Sequence, residues 1–333
     1  MPDRYPVSEV VQVGIEATPG TAVAPTKQFA GLNVELDTAI EHDEFGPMGQ
    51  LTNTIVAPRQ EWSTGALSGF PTYTEIVYPL SNVFGAAVIT TPTGGDAARR
   101  LWSWNPSAST PWVPKTWTIR RGVPADTAEE TNYGLLSGLN LAFSRTTAPT
   151  IGGDLFARRL DYTAVLATTG VTVPTNVPML PAEGNVYLDA TGAGIGATQL
   201  LRDFSLEFSI SDLFGPIWPI NSSFTSFAAH GVQKPTIEAK LTLGNDAAGR
   251  ALVTNMRAGT AVFVRYVSTS GQMITAVTPY KFTLDMALMC VSAPTRGDQD
   301  GLLSTLEWTF RVVSDPTWAS WIRIAVENNA TGL

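Results

Sequence analysis

The stretch Phe204-Ser205-Leu206-Glu207-Phe208-Ser209-Ile210-Ser211 alternates strictly between apolar and polar side chains. Successive side chains of a β-strand point to opposite faces, so this period of two predicts a strand with one buried face and one face in water. Strands of that kind are typical of antiparallel sheets, because parallel sheets are covered on both faces.

The same alternation recurs in both halves of the chain, and it predicts a mostly β fold. The apolar members of the other alternating stretches are Leu32, Val34 and Leu36; Leu139, Leu141 and Phe143; Phe282, Leu284, Met286, Leu288 and Cys290; and Leu306, Trp308, Phe310 and Val312. The polar residues between them are expected on the opposite faces of their strands.

Each half also contains one helical pattern. In the first half, Thr72 and Glu75 have the spacing of a capping box, and apolar residues follow at helical intervals. Pro79 lies inside this pattern and is expected to kink or split the helix. In the second half, Asn245 or Asp246 is suited to cap a helix that Gly259 ends.

Several features recur in the same order in the two halves, which indicates an internal duplication. Phe45-Gly46-Pro47 returns as Phe214-Gly215-Pro216, an offset of 214 − 45 = 169 residues. Gly69, before the first helix, has a counterpart in Gly244, before the second, an offset of 244 − 69 = 175 residues. The order in both halves is strand, Phe-Gly-Pro turn, strand, glycine, helix and further strands.

The duplication suggests a division of the chain into two β domains with their connections. Proline, glycine and threonine are frequent in residues 1–30, which are therefore expected to form an extended arm. The predicted parts are the arm 1–30, a first β domain 31–165, a connector 166–200, a second β domain 201–325 and a tail 326–333.

Composition limits the possible functions. The 333 residues are 44% hydrophobic and 15% charged and carry a net charge of −8, so tight nucleic-acid binding, which needs clustered Lys and Arg, is not expected. With one cysteine, the chain can form neither an internal disulfide nor a multi-cysteine metal site. The N-terminus lacks a signal-peptide pattern and no run is long enough to span a membrane, so the chain is expected to be soluble and made in a reducing cytoplasm.

The candidate catalytic and cofactor motifs are weak. The glycine-rich stretch 192–197 is followed by strand alternation rather than the helix that a dinucleotide site needs. The turn at Asp298 lacks the bidentate Glu of a calcium loop, since Thr309 stands at the required position. His42 lies among acids, His230 precedes a glycine, and Cys290 ends an apolar stripe. We therefore expect no enzyme activity, no cofactor and no metal site.

Four tryptophans lie close together in the first half, at positions 102, 104, 112 and 117. They leave open a carbohydrate-stacking or receptor-binding surface. Three of them, Trp102, Trp104 and Trp117, follow strand alternation, which favours a core or a subunit interface instead.

The N-terminal segment Val13-Gly14-Ile15-Glu16-Ala17-Thr18-Pro19-Gly20-Thr21 and its continuation to Lys27 resemble the start of the major tail proteins, the tail tube subunits, of long non-contractile-tailed bacteriophages. The stretches Phe45-Gly46-Pro47, Gly69-Phe70-Pro71-Thr72-Tyr73 and Phe214-Gly215-Pro216 with Trp218-Pro219 also resemble phage tail sequences. The resemblance extends over much of the chain, and the family contributes no catalytic residues.

The resemblance implies two tandem tail-tube-like domains, each a β-sandwich or small β-barrel with a flanking helix. Such domains form six-fold rings that stack into a tube through which DNA passes at ejection. Two domains per chain imply three copies in a ring, a pseudo-hexamer. The alternatives are a hexamer with one tube domain and one outward decoration domain, or a virion carbohydrate- or receptor-binding β module.

The resemblance also implies partners and a location. The partners are further copies of the chain and other tail proteins such as the tape measure, tail terminator and distal tail protein, while DNA passes without specific binding and no membrane is involved. The location is the virion tail, assembled in the host bacterial cytoplasm. The arm 1–30 is expected to order on a neighbour and tie one ring to the next.

A channel that conducts DNA benefits from an acidic lining, because carboxylates repel phosphates. The candidates are polar positions on alternating strands, and they are Glu35, Asp37, Glu207 and Glu238.

Overall fold

The computed structural model describes residues 9–92, 97–124, 126–220, 226–299 and 301–333. Strands hold 53% of the residues and helices 7%, so the predicted mostly β fold is confirmed. Every pairing between two strands is antiparallel, as the alternating patterns indicate. No helix among the described residues is long and apolar enough to cross a membrane.

The strands and helices follow one another with mostly short connections. In chain order they are β1 Val10–Ile15, β2 Lys27–Gln28, β3 Leu32–Phe45, β4 Ile55–Gly69, α1 Val77–Phe84, β5 Val88–Thr90, β6 Arg100–Trp104, β7 Trp117–Gly122, β8 Thr127–Leu136, β9 Leu139–Ser144, β10 Thr150–Ala157, β11 Asp161–Val165, β12 Gly184–Asp189, β13 Asp203–Ser211, β14 Phe214–Ile217, β15 Ala229–Val232, β16 Thr236–Gly244, α2 Ala247–Ala258, β17 Val262–Thr275, β18 Thr278–Cys290, β19 Thr295–Gln299, β20 Leu303–Val312 and β21 Ile322–Asn328.

One long sheet, which we call the shared sheet, runs through both halves of the chain. Its strand order is β3-β4-β10-β9-β13-β16-β20-β19. The junction between the halves is the pairing of β9 with β13, at six positions from Leu139↔Ile210 to Ser144↔Ser205. Residues 31–165 and 201–325 are therefore joined by main-chain pairing as well as by side-chain packing.

A second layer completes each half. In the first half its order is β2-β1-β7-β8-β11, and in the second it is β12-β17-β18-β21, extended by β6 and β5. The layers meet where the end of β8 pairs with β10 and the end of β18 pairs with β20. The antiparallel pairing at these two corners brings the buried faces of the layers onto one hydrophobic core.

The alternating stretches bury the side chains that the period of two assigns to the core. Leu206, Phe208 and Ile210 are at most 2% exposed, and Glu207 between them is exposed. Phe143 of β9 stacks on Tyr266 of β17, with 3.9 Å between ring centroids. Full burial of such side chains contributes about 1.5–3 kcal/mol each, so the interior holds the two layers and the two halves together.

The first helix begins later than its sequence pattern suggests, whereas the second begins where its pattern predicts. Glu75 N–H donates to Thr72 Oγ1 at 3.0 Å, but the chain turns before α1 begins at Val77, so Pro79 lies in the first turn, where it is tolerated. α2 is capped by Asp246, whose carboxylate accepts from Gly249 N–H at 3.0 Å. The expectation that Pro79 kinks or splits a helix running on from Thr72 is therefore not met, because residues 73–76 form turns and the helix begins only at Val77.

Residues 1–8 of the predicted arm 1–30 lie outside the described residues. For residues 9–30 the prediction of an extended arm is wrong, because most of this segment packs on the chain's own sheet. β1 pairs with β7 at six positions, and Val11 and Val13 are buried. Glu16, 2% exposed, accepts hydrogen bonds from Gly20 N–H, Thr116 Oγ1, Thr118 Oγ1 and Tyr133 N–H. These contacts fasten the segment to the first half rather than leave it free.

Two further expected segments contain regular structure. The connector 166–200 contains β12, which pairs with β17 at six positions. The tail 326–333 begins inside β21, where buried Asn328 donates to Tyr73 O at 2.9 Å. Pairing with distant strands, which residue composition does not reveal, determines both outcomes. The remaining domain boundaries stay a prediction.

Candidate functional site: a repeated sheet with a polar face and two free edges

Seven strand pairings of the first half have counterparts in the second. The pairings β1–β7, β3–β4, β4–β10, β10–β9, β10–β8, β7–β8 and β8–β11 correspond to β12–β17, β13–β16, β16–β20, β20–β19, β20–β18, β17–β18 and β18–β21. We call β1–β4, α1 and β7–β11 the first repeat, and β12–β21 with α2 the second repeat. Each is the same supersecondary unit, and β5 and β6 are additions to the first half.

Each repeat contains a long hairpin with a bend at the same place. In the first hairpin, β3 with β4, the register shifts between Glu41 and His42, and four further pairs follow from His42↔Pro58 to Phe45↔Ile55. In the second hairpin, β13 to β16, the strand breaks after Ser211, and four pairs follow from Phe214↔Val232 to Ile217↔Ala229. We call these four-pair parts the distal segments.

The positions of the distal segments correct the alignment of the repeats that the Phe-Gly-Pro motifs suggest. Phe214 begins its distal segment, whereas Phe45 ends its own, so the two Phe-Gly-Pro motifs do not occupy equivalent positions. The counterpart of Phe214 is His42, an offset of 214 − 42 = 172 residues. The order of the elements identifies the duplication, and the hairpin geometry gives its register.

The shared sheet joins the two repeats head to tail. β9 is the last strand of the first repeat in this sheet and β13 is the first strand of the second, and their pairing leaves β3 and β19 at the two ends. Among the described residues, no strand pairs with the outer edge of β3 or of β19. Unpaired strand edges are sites where another chain can add.

The four predicted acidic residues lie on one face of the shared sheet. Directly opposed residues of neighbouring strands share a face, and so do residues two apart on one strand. The opposed pairs lead from Glu35 on β3 through β4, β10 and β9 to Glu207 on β13, and Asp37 lies two residues from Glu35. Glu207 lies opposite Lys240, two residues from Glu238. The structure therefore brings all four together on a single surface that faces away from the core.

This polar face carries more acids than bases in its central rows. Glu238 is half-buried and forms a 3.0 Å ion pair with Arg311, while the other predicted acids are exposed. The acids of these rows are Glu35, Asp37, Asp154, Glu207, Glu238 and Glu307, and the bases are Lys240 and Arg311. Glu307 lies between Leu306 and Trp308 in an alternating stretch, whereas Asp154 lies outside the alternating stretches and only the strand register assigns it to this face.

The histidines and the cysteine lie apart from one another. His42 is exposed on the first hairpin, whereas His230 is half-buried on the second, with its Nδ1 2.9 Å from Tyr133 Oη. Burial lowers the pKa of His230 below its ordinary value and raises the pKa of the Cys290 thiol to about 11. A thiol with that pKa is protonated at neutral pH and therefore a poor nucleophile. In the part of the chain that the structure describes, no three His, Cys, Asp or Glu side chains are grouped as metal ligands.

The glycine-rich stretch and the acidic turn are loops held by local hydrogen bonds. Asp189 accepts from the backbone N–H of Gly196, Ala197 and Thr198, and no helix follows the stretch. Asp298 accepts from Gly301 N–H at 2.8 Å, closing the turn between β19 and β20.

The tryptophan group does not form an exposed platform. Trp102, Trp104 and Trp117 are at most 2% exposed, and Trp112 is half-buried with its indole N–H on Val83 O. The surface features that remain as candidates are the polar face, the free edges and the first hairpin. No protein-family model and no curated protein sequence matches this chain.

Proposed function

We propose that this protein is a structural subunit of a bacteriophage tail tube of the long non-contractile type, and that three copies close into a ring of six repeats. The observation that carries the proposal is the head-to-tail joint between β9 and β13, which leaves β3 and β19 as matching free edges. The counterpart of β9 in the second repeat is β19, and the counterpart of β13 in the first repeat is β3. The same joint can therefore form between copies.

A joint that connects unlike surfaces generates either a closed ring or a filament, depending on the rotation it applies. Within the chain, the joint is a stretch of antiparallel main-chain pairing over six positions. Pairing of the same kind between β19 of one copy and β3 of the next extends the shared sheet across the subunit boundary. Eight strands per copy then continue around the ring.

The register of the internal joint gives the register expected between copies. Glu35 and Glu207 are counterparts, since each lies seven residues before the first distal pair of its hairpin (42 − 35 = 7; 214 − 207 = 7). Ala142 and Gly297 occupy the same position relative to these glutamates when the opposed pairs are followed across each repeat. Because Ala142 lies opposite Glu207, Gly297 is expected opposite Glu35 of the next copy.

The polar face supports the channel role. A ring built by this joint keeps the same sheet face on one side throughout, and the excess of acids on the polar face suits a surface past which DNA slides without binding. In the proposed tube, Glu35, Asp37, Glu207 and Glu238 line the channel. The partners are copies of this chain, with a tape measure, a tail terminator and a distal tail protein in the virion tail.

The alternatives receive less support. A hexamer with one tube domain and one outward domain requires repeats in different environments, but both repeats contribute four equivalent strands to one sheet. A carbohydrate-binding module requires exposed aromatic rings, and three of the four clustered tryptophans are buried.

Purified protein tests the proposal directly. Light scattering after size exclusion is expected to find a species of about three times 35.6 kDa, or larger stacks of it. Negative-stain microscopy is expected to show rings or tubes with a central hole. A species that remains at the mass of one chain over a wide range of concentration and salt contradicts the proposal.

A further inference from the structure

The second hairpin does not project freely but lies on the first repeat. Arg158, which follows β10, donates from Nε to Phe227 O at 3.1 Å and from Nη2 to Ala228 O at 3.0 Å. The Phe227 ring, fully buried, packs edge-on against Phe156 and Tyr133, with 5.4 Å and 5.1 Å between centroids. The internal joint between repeats therefore has two parts, a strand pairing and a hairpin seated beside it.

Among the residues that the structure describes, the first hairpin has no such seat on its own chain. Most of its side chains from position 40 to position 59 are exposed, including six large apolar ones, which are Ile40, Phe45, Met48, Leu51, Ile55 and Val56. Single exposed apolar residues are ordinary, but a group of this size on one element is typical of an interaction surface.

The seat of the second hairpin has a counterpart on the second repeat. Trp62 of β4 contacts the second hairpin through Trp218, with 5.6 Å between centroids, and Phe156 of β10 contacts it through Phe227. By the pairing register, the position of Trp62 corresponds to Thr236 of β16, and that of Phe156 corresponds to Arg311 of β20.

Both counterparts line the same groove. This groove has a volume of about 740 Å³ and is walled on its apolar side by Ile237, Val312, Trp112 and Trp321. Lys234 and Arg311 supply positive charge at its lining. In the first repeat, the corresponding space is filled by the second hairpin.

We propose that this groove receives the first hairpin of the next copy, the copy whose β3 pairs with this chain's β19. The inference rests on the proposed ring, because it applies the second part of the internal joint to the joint between copies. Val56 is the counterpart of His230, which contacts Tyr133 in the internal seat, since the two lie at equivalent positions of the distal segments. The contact side of the hairpin is thus the side that carries Val56 and its opposed residue Glu44.

The charges of the first hairpin and of the groove favour this hairpin as the occupant of the groove. Between positions 41 and 61, the first hairpin carries Glu41, Asp43, Glu44 and Glu61 against a single Lys or Arg, Arg59, which pairs with Glu41 and Asp43. Glu61 pairs with Arg159, which follows β10. The groove offers Lys234 and an Arg311 that also pairs with Glu238, beside its apolar wall. An acidic, apolar hairpin complements such a groove, and complementarity of this kind favours correct orientation and fast association.

Photo-crosslinking of the full chain tests the inference. A photoreactive phenylalanine analogue replaces Val56, and unlabelled and ¹⁵N-labelled protein are mixed before assembly and irradiation. Mass spectrometry is expected to find hybrid cross-links, one peptide labelled and one not, to residues 107–112, 232–237 or 311–314. The matched control places the analogue at Val277, which is also exposed but lies in the turn between β17 and β18, and it is expected to give no cross-links to those peptides.

The possible outcomes separate this inference from the proposed function. Rings in the microscope whose Val56 cross-links avoid the groove overturn the inference and leave the ring proposal standing. Cross-links to the groove within one copy only, without hybrids, also overturn it. Absence of both rings and hybrid cross-links defeats the two proposals together.

Discussion

Ala142 of β9 lies directly opposite Glu207 of β13, and this pair stands in the middle of the strand pairing that joins the two repeats. A small, uncharged side chain therefore faces a carboxylate at the joint. In the proposed ring, the counterpart pair between copies is Gly297 and Glu35, again a small residue opposite an acid. Because the two pairs are alike, substitutions that place a charge at position 297 can test the register of the proposed joint between copies.

We expect Gly297→Glu to weaken ring formation and Gly297→Lys to preserve it. Like charges directly opposite on paired strands are destabilising, whereas opposite charges contribute roughly 0.2–1 kcal/mol at each joint. Gly297 does not have a positive backbone φ, and a Cβ there would meet only Thr305 Oγ1, at 3.1 Å, so either side chain requires a small shift of that hydroxyl. Light scattering over a concentration series measures the difference, and equal assembly of the two variants contradicts the register.

We expect the free energy of unfolding to fall in mild acid because of His230. Burial between Tyr133 and Phe214 lowers its pKa below 6.5, so the folded protein binds this proton less readily than the unfolded chain. The stabilising contribution is present above pH 6.5 and is lost as the pH falls through the folded-state pKa. Urea unfolding from about pH 7.5 to 5 measures the loss.

The matched control is the exposed histidine of the first hairpin. His230→Gln is expected to flatten the acid-dependent part of the stability curve, whereas His42→Gln is expected to leave the curve of the wild type unchanged. If both variants keep the wild-type dependence on pH, the loss of stability belongs to other groups.

We expect Glu16→Ala to destabilise the fold by roughly 2–4 kcal/mol, because it leaves buried donors that the carboxylate now satisfies, among them Tyr133 N–H at 2.9 Å, without a partner. Glu35→Ala, on the exposed polar face, serves as the control and is expected to change stability by less than about 0.5 kcal/mol. Urea unfolding compares the two. Equal and small losses in both variants would mean that the N-terminal segment does not depend on Glu16.

Much of the fold could be predicted from the sequence because many strands have one face on the core and the other in solvent. Phe204 to Ser211 alternates because one side of β13 faces the core and the other faces solvent, and the same cause makes β3 and β20 visible in the sequence. The helix cap at Asp246 is equally local, since the capping side chain and the N–H it accepts from are three residues apart. Features fixed by neighbouring residues can be predicted from their sequence.

Other features depend on distant residues and leave no period in the sequence. β1 is covered on both faces, so even Gln12 is buried, with its amide on Ala167 O at 2.9 Å, and the alternation disappears. The edges that remain unpaired, the seat of the second hairpin and the groove follow only from pairing between segments far apart in the chain. The four acids could be predicted as polar positions, but their common face required the register of six strands, β3, β4, β10, β9, β13 and β16.

We expect charge reversal on the polar face to make assembled tubes retain DNA. In Glu207→Lys, each copy replaces an exposed acid of the face with a base, and every phosphate contact so formed steepens the salt dependence of binding by about 0.9 in log–log slope. Asp161→Lys makes the same charge change on β11, which belongs to the second layer and not to the polar face of the shared sheet, and serves as the control. Co-sedimentation of short duplex DNA with tubes, over a series of salt concentrations, is expected to show retention that falls with salt for Glu207→Lys alone. Equal retention by the two variants would indicate that DNA binds the outside, and that the polar face does not line the channel.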